Sequence, residues 1–381
     1  MMTDRMIIGF DAKRIVRNGT GLGSYGRTLV NDLARRGDLL LRLYAPDAGR
    51  DNLRCQVQER ENLTFCYPQP SSFHSSLKKS YWRSRAIIPQ LQQDGVQLYH
   101  GLSGELPIGI SRSGIKSVVT IHDLIFLRHP EFYNWIDTKI YAWKFRQTVR
   151  EADHIIAISE CTKRDIMELG GVDERRISVI YQSCSPRFTT DVSPSAVAIM
   201  RHQYGVSGPF ILSVGSIEER KNIGLAIRAL SLLPEHIHLV AVGKSTPYAK
   251  KVQEEAVRAG LGQRVHMLHG VSDSMLNVLY HAAEAFVYPS VYEGFGIPII
   301  EAISSGLPVV ACTGSCLEEA GGPDSLYVAP DDVKGMAAAL RQVLRGAEGR
   351  EQRIERSRQY IRRFEGADVA AQVADIYQKT L

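Results

Sequence analysis

The sequence predicts an α/β protein with two Rossmann-like domains of comparable size. Three observations carry that prediction. Short apolar strand runs alternate with helix-length segments nearly throughout, as parallel sheets require. The alternation starts afresh after a polar stretch. And 381 residues are long for one domain but ample for two, each with its own core. In the first half the strand runs are Met6–Phe10, Leu39–Tyr44, Val96–His100, Lys116–Ile121, His154–Ala157 and Ile177–Ile180, with helices between them such as Tyr25–Arg36 and Asp137–Ala152. The boundary falls in the polar stretch Arg187–Ser207, which follows Pro186 and contains Pro194. A second series runs through Phe210–Val214, His238–Val242, Val265–Leu268, Ala285–Tyr288, Val309–Ala311 and Ser325–Val328, each followed by helical periodicity. Residues 1–190 and 191–360 are therefore read as the two domains. Residues 361–381 are read as a last helix, long enough to return and pack on the first domain.

Composition excludes several classes. The apolar share of 44% and charged share of 23% are those of an ordinary soluble globular protein. No uncharged apolar run is long enough to predict a transmembrane helix. Met1–Phe10 carries Asp4 and Arg5 and reads as a first strand, not a signal peptide. The six cysteines, Cys55, Cys66, Cys161, Cys184, Cys312 and Cys316, have neither zinc nor redox spacing, so reduced cytosolic thiols are expected. The net charge of +5 is uneven: residues 1–190 hold 27 Lys/Arg against 20 Asp/Glu, and residues 191–381 hold 19 against 21. The sharpest basic patch is Phe73–Ile88, with Lys78, Lys79, Arg83 and Arg85 beside Tyr81 and Trp82 and no acid. Cations interleaved with aromatics fit an anionic membrane surface or a lipid diphosphate. They also fit single-stranded nucleic acid, or a solvated helix face with a half-buried Trp. The reading carried forward is an acceptor or membrane patch at Lys78, Lys79, Trp82, Arg83 and Arg85, with no nucleic-acid partner.

The most informative stretch is Pro289–Glu301, where Glu293 and Glu301 flank Gly294-Phe295-Gly296 and the start of a helix near Ile297. Backbone N–H groups of Gly294, Phe295, Gly296 and Ile297 would converge on an anion at that helix start. The carboxylates on either side would accept hydrogen bonds from sugar and ribose hydroxyls. A nucleotide-sugar suits that spacing. Gly215 closes a strand ahead of Arg220 and Lys221, two cations that a departing diphosphate needs as charge builds on it. Gly21, Gly23 and Gly26 spell G-x-G-x-x-G, but about ten residues separate them from Phe10 and no acid ends the second strand convincingly. A glycine loop ahead of helix Tyr25–Arg36, open to a diphosphate, is the better reading than a dinucleotide site. His122 stands at the C-terminal end of a strand, the edge where open α/β sheets bind ligands, and Asp123 beside it reads as a loop-orienting residue. Ser159 reads as an N-cap. Asp331 and Asp332 read as cap and dipole partners of the following helix, not as metal ligands.

Taken in chain order, the G-x-G-x-Y loop, T-x-H-D at Thr120–Asp123, S-x-x-T-K at Ser159–Lys163, R-K-N at Arg220–Asn222 and E-x7-E at Glu293–Glu301 resemble the motifs of retaining GT-B glycosyltransferases of family 4. The resemblance covers nearly the whole chain. Two departures stand out: Glu219 where that family's EPRKN variant has Pro, and Ser216 where other members carry Arg directly after the Gly. The resemblance implies a GT-B fold, two Rossmann-like domains facing across a cleft, with the C-terminal helix returning to the first. The N-terminal domain would bind the acceptor and the C-terminal domain the nucleotide-sugar. It implies that Glu293 contacts the donor sugar and Glu301 the ribose. His122 would bond a hydroxyl of that sugar, and Gly21 and Gly23 would cover the donor phosphates. No protein-bound metal or other cofactor is implied. The expected reaction moves a hexose, mannose or a related deoxyhexose from a GDP-sugar such as GDP-mannose, to a saccharide or polyprenyl-diphosphate-linked saccharide. Such a reaction belongs to cell-surface polysaccharide or lipopolysaccharide synthesis, in the cytoplasm or at the inner face of the membrane. The implied mechanism is dissociative, with a leaving-diphosphate oxygen taking the acceptor proton. A GT-B nucleotide-sugar epimerase and a non-catalytic sugar-binding protein are the rival readings.

Overall fold

The computed structural model describes residues 5–68, 75–365 and 368–381. The chain divides into two compact units, Met1–Gln182 with Asp368–Leu381, and Ser183–Ala367. The division differs from the expected boundary because the Pro186–Thr189 turn packs with the second unit. There Phe188 is fully buried edge-on to Tyr280, 5.1 Å between ring centroids, and its carbonyl accepts a bond from Ser305.

Unit 1 is built on a seven-stranded sheet in the order β3-β2-β1-β4-β5-β6-β7. Its strands are β1 Met6–Asp11, β2 Leu39–Tyr44, β3 Leu63–Cys66, β4 Leu98–Gly101, β5 Lys116–Ile121, β6 His154–Ala157 and β7 Ile177–Val179. Every pairing is parallel. The strand sequences are near-continuous apolar runs because helices cover both faces. Ile8, Phe10, Leu41 and Leu43 join one core with Leu29, Val30 and Leu33 of the helix Gly21–Arg36. Tyr99, Val119 and Ile155 join the other with Trp82, Leu91 and Phe145. Strand β3 was not expected from the sequence. It is a four-residue edge strand whose residues stay partly exposed, so its apolar signal is weak.

The expected glycine loop is instead the start of a helix. Gly21 and Gly23 lie in the first turn of Gly21–Arg36, four residues earlier than the sequence reading placed it. A Cβ on Gly23 would meet the Asn18 carbonyl oxygen at 1.9 Å, so that position needs glycine for close packing against the preceding segment. The same junction is tied by Arg27, whose guanidinium donates to the carbonyls of Ile15 and Asn18 at 2.9 Å each. That bond fixes the short helix Lys13–Arg17 at the end of β1.

The last helix, Val369–Thr380, completes unit 1. Ala370, Val373, Ala374 and Tyr377 recur at helical spacing and are buried in the same core as Leu29 and Val30. Asp368 caps it, accepting from the Ala371 N–H at 2.8 Å.

Unit 2 carries a six-stranded sheet, order β10-β9-β8-β11-β12-β13. The strands are β8 Phe210–Val214, β9 His238–Val242, β10 Val265–Leu268, β11 Ala285–Tyr288, β12 Val309–Cys312 and β13 Leu326–Val328, again all parallel. The helix Ile223–Leu230 is buried almost all round in the main core of this unit. Asp332 caps the helix Val333–Arg341 by accepting from Gly335 N–H at 2.7 Å, and Ser159 caps Glu160–Gly170 in unit 1. Among the described residues no helix is long and apolar enough to cross a membrane.

Candidate active site

In open parallel sheets ligands bind beyond the C-terminal strand ends, where the strand order reverses. In unit 2 that point lies between β8 and β11, which pair directly. The loop after β8 and the loop after β11 carry the polar cluster. Gly215 follows β8 with φ +151°, and its carbonyl sits where a Cβ on Gly243 would strike it at 1.8 Å. A single turn, Glu219–Lys221, then ends at Asn222, whose left-handed φ of +50° turns the chain into the next helix. Asn222 holds that conformation by donating its side-chain N–H to the Pro330 carbonyl at 2.8 Å.

Arg220 and Lys221 thereby reach the β11 loop. Lys221 Nζ lies 2.5 Å from Glu293 Oε1 and donates to the Tyr288 hydroxyl at 2.8 Å. Arg220 Nη1 lies 3.0 Å from the same carboxylate oxygen and donates to the Tyr292 carbonyl at 2.7 Å. Its Nη2 donates to Glu218 at 2.8 Å. Burial pushes the Glu293 carboxyl up, but Lys221 and Arg220 outweigh it and hold the group below its usual range. Burial likewise opposes the Lys221 ammonium, and Glu293 more than restores it. Tyr288 is pushed up to about 12, chiefly by burial and then by Glu293. The result is a charged triad, Glu293 buried and both cations partly so, held in place by its own ion pairs.

The backbone of Glu293–Ile297 is pinned from below. The buried Cys316 thiol donates to the carbonyls of Glu293 at 3.1 Å and Phe295 at 2.9 Å. Phe295 is buried edge-on to Phe364, ring centroids 5.3 Å apart. Gly296, with φ +111°, starts the helix Ile297–Ser304. Glu301 rides on that helix, and Tyr280 donates to its Oε2 at 2.9 Å. Burial raises the Glu301 carboxyl above its ordinary value against that bond. Gly215, Arg220, Lys221, Glu293, Gly294, Phe295, Gly296, Ile297 and Glu301 thus all belong to one unit, and His122, Gly21 and Gly23 to the other. Nothing in the sequence pattern singled out Cys316, Tyr280 or Tyr288. Their roles depend on which strand lies beside which.

In unit 1, His122 follows β5. Its Nε2 bonds the Leu102 carbonyl at 2.9 Å, which fixes the proton on that nitrogen, and Nδ1 faces the Gln182 amide at 3.2 Å. Its ring stands edge-on to Tyr25, 4.9 Å between centroids. Tyr25 meets Thr120 at 3.1 Å, Thr120 meets His100 at 2.9 Å, and His100 meets the Tyr377 hydroxyl of the last helix at 2.6 Å. Asp123 accepts from the Ile125 N–H at 3.2 Å and shapes the loop. Burial lowers His122 to about 4 and His100 to about 3, so both are neutral at pH 7. Each binds a proton more readily in the unfolded chain, near pH 6.5, than in the fold. Stability is therefore expected to be full above pH 6.5 and to fall as pH drops through the window down to about 4 for His122 and about 3 for His100. The slope should approach about 1.4 kcal/mol per pH unit per histidine. Calorimetric Tm values between pH 7 and 4 test this, and a flat profile would refute it.

The basic patch is rearranged by folding. Its start at Phe73 lies outside the described residues. Lys78 and Arg85 are exposed, but Lys79 is bonded to Asp47 at 2.7 Å. Trp82 is only 2% exposed, inside the core with Tyr99 and Phe145, and Arg83 is buried between Asp11 and Glu105. Trp82 and Arg83 are therefore not surface residues of a membrane patch. A wide π-type turn at Trp82–Ala86 directs both consecutive side chains inward. Arg83 instead walls two cavities of about 240 Å³ each, which share Ser80 and Arg83. One is lined by Lys13, Arg17, Lys79 and Arg83 with no acid. The other sets Arg83 beside Asp11, Glu105, Lys144 and Trp143. Asp11 ends β1 and Glu105 follows β4, so the cavities lie at the reversal point of this sheet.

Comparisons with known proteins agree on one lineage. Residues 19–185 match the family described as Glycosyltransferase Family 4, and residues 201–360 match Glycosyl transferases group 1. The O-antigen chain mannosyltransferase B of Escherichia coli is 29% identical, over 94% of this chain and 96% of that protein. The O-antigen chain mannosyltransferase RfbU of Salmonella typhimurium is 30% identical over 66% of each chain, just under two thirds of its length. The MMP alpha-(1->4)-mannosyltransferase of Mycolicibacterium hassiacum is 36% identical over 71% of this chain and 67% of its own. Among solved structures, sucrose-phosphate synthase from Thermosynechococcus elongatus superposes with a TM-score of 0.78 at 20% identity, covering 98% and 99% of the two chains. Anabaena Alr3699/HepE in complex with UDP and glucose does so with a TM-score of 0.74 at 19% identity, covering 98% and 100%.

Proposed function

We propose, given that this chain belongs to glycosyltransferase family 4, that it moves a mannosyl group, or a related deoxyhexose, from a GDP-sugar to a polyprenyl-diphosphate-linked saccharide. The work is done at the cytoplasmic face of a membrane in cell-surface polysaccharide synthesis. The single observation that carries the donor half is the Arg220–Lys221–Glu293 triad at the reversal point of the second sheet. As the glycosidic bond breaks, negative charge collects on the diphosphate, and Arg220 and Lys221 are already fixed to receive it without a protein-held metal. The start of the Ile297–Ser304 helix adds its N–H groups and dipole. Glu293 would hold the transferring sugar and Glu301 the ribose. His122, neutral and with its proton fixed on Nε2, would accept from a sugar hydroxyl at Nδ1 in place of the Gln182 amide that bonds it here. A diphosphate oxygen on the same face takes the acceptor proton, so configuration is retained.

The acceptor half rests on the two cavities of unit 1. The cation-lined one suits a diphosphate, and the one with Asp11 and Glu105 suits sugar hydroxyls. Similarity to O-antigen mannosyltransferases favours transfer over the epimerase and binding-protein readings.

A thermal-shift panel of GDP-, UDP-, ADP- and dTDP-linked sugars with EDTA present is the test. A Tm rise with GDP-mannose, lost in Glu301→Ala, is expected. A rise with UDP-sugars alone would retire GDP, and a rise unchanged by Glu301→Ala would overturn the ribose assignment.

A further inference from the structure

The helix Trp135–Glu151 buries Ala142, Phe145, Thr148 and Val149, yet its outward face is not polar. Ile136, Ile140 and Trp143, at i, i+4 and i+7, are 49, 45 and 50% exposed, and Trp135 beside them is 65% exposed. Single exposed apolar residues are ordinary, but a contiguous stripe marks a contact surface. The exposed charges on this helix are Lys139, Arg146 and Arg150 against Asp137 alone. None of the three cations makes a salt bridge among the described residues, and Lys139 Nζ lies 4.8 Å over the Trp135 ring. Apolar side chains rimmed by unpaired cations and tryptophans match one partner above others. Isoleucines enter the acyl boundary, tryptophans sit at headgroup level, and cations meet lipid phosphates.

We propose that this face docks unit 1 on a bilayer containing anionic phospholipid, the helix lying in the plane of the interface. The surface differs from the Lys78–Arg85 patch that the sequence suggested. Trp143 belongs to the stripe and also lines the cavity of Asp11 and Glu105, so a lipid-borne headgroup on this face lies at the mouth of that cavity. The docking inference stands on the helix surface and does not depend on the donor reading.

The experiment is co-sedimentation of the full chain with vesicles of phosphatidylcholine alone or with phosphatidylglycerol added, at low and high salt. Binding to the mixed vesicles, weakened by salt, is expected. Ile136→Ser/Ile140→Ser should weaken it about tenfold or more with an unchanged Tm. Lys139→Glu/Arg146→Glu/Arg150→Glu should remove the preference for phosphatidylglycerol. The proposal is overturned if the wild type stays in the supernatant, or if the double serine variant sediments equally. Equal binding to neutral vesicles would also overturn it. So would a wild-type dimer that the double variant splits, which would make a second copy the occupant.

Discussion

Lys221→Ala is expected to lower kcat about 10²- to 10³-fold while KM changes far less. A preorganised donor aimed at developing charge contributes on the order of 3–4 kcal/mol when water is excluded, and Lys221 is such a donor, partly buried and fixed by Glu293 and Tyr288. The loss falls in kcat because the diphosphate carries more charge in the transition state than in the bound donor. Lys221→Arg should not rescue it. Its side chain packs 3.5–3.7 Å from where a Cβ of Gly215 would stand, so the pocket fits a narrow ammonium stem and not a planar fork. Single-turnover and steady-state kinetics would check the effect. A kcat within a few-fold of wild type, with a lowered Tm, would mean that Lys221 serves only to neutralise Glu293.

Arg83→Met is expected to cost about 3–5 kcal/mol of folding stability at pH 7, because it strands two acids in a place where only a cation made them tolerable. Arg83 Nη1 donates to Asp11 at 2.7 Å, its Nη2 bonds Glu105, and Lys144 reaches Glu105 at 3.1 Å. Burial alone would raise the Glu105 carboxyl, but Arg83 and Lys144 hold it below its ordinary value of 4.5. Its contribution is therefore present above pH 4.5 and lost as pH falls through the lower folded value. Without Arg83 the first of the cations that oppose burial is gone and the Glu105 carboxyl moves up, so the gap between variant and wild type should narrow on acidification. Urea unfolding at pH 7 and pH 4 measures both. Adding Glu105→Gln to Arg83→Met should recover part of the loss. A cost below about 1 kcal/mol at pH 7 would show that the cluster is solvated and weak.

How much of this was legible in the chain depends on sequence distance. The parallel strands were, because strands buried on both faces are written as apolar runs with their helices between them. The Glu293–Glu301 segment was, because its turn, helix start and two acids lie in one local stretch. Arg83 was not. Its partners stand 72 residues before it and 22 after it, and only the strand order brings them together. Trp82 misled for a related reason: a composition of cations and rings does not say which side faces in, and a π-type turn reversed the expected answer. Gly21 and Gly23 looked like a loop because glycine disfavours helices, whereas Gly23 is in one to clear the Asn18 carbonyl. The outward stripe of Trp135–Glu151 was read as an ordinary helix, since periodicity locates an apolar side but not what covers it.

The return of Val369–Thr380 to the first unit has a consequence for the order of synthesis. The second unit is an insertion in the first, so a ribosome must deliver all of it and the helix Val369–Thr380 before unit 1 can close its core. Until then His100 lacks the hydroxyl of Tyr377, and Val30 and Leu33 lack the apolar face that covers them. A nascent chain halted before Asp368 would hold a finished second unit beside an unfinished first. A stop codon just before Asp368 would thus injure the domain encoded ahead of the second unit.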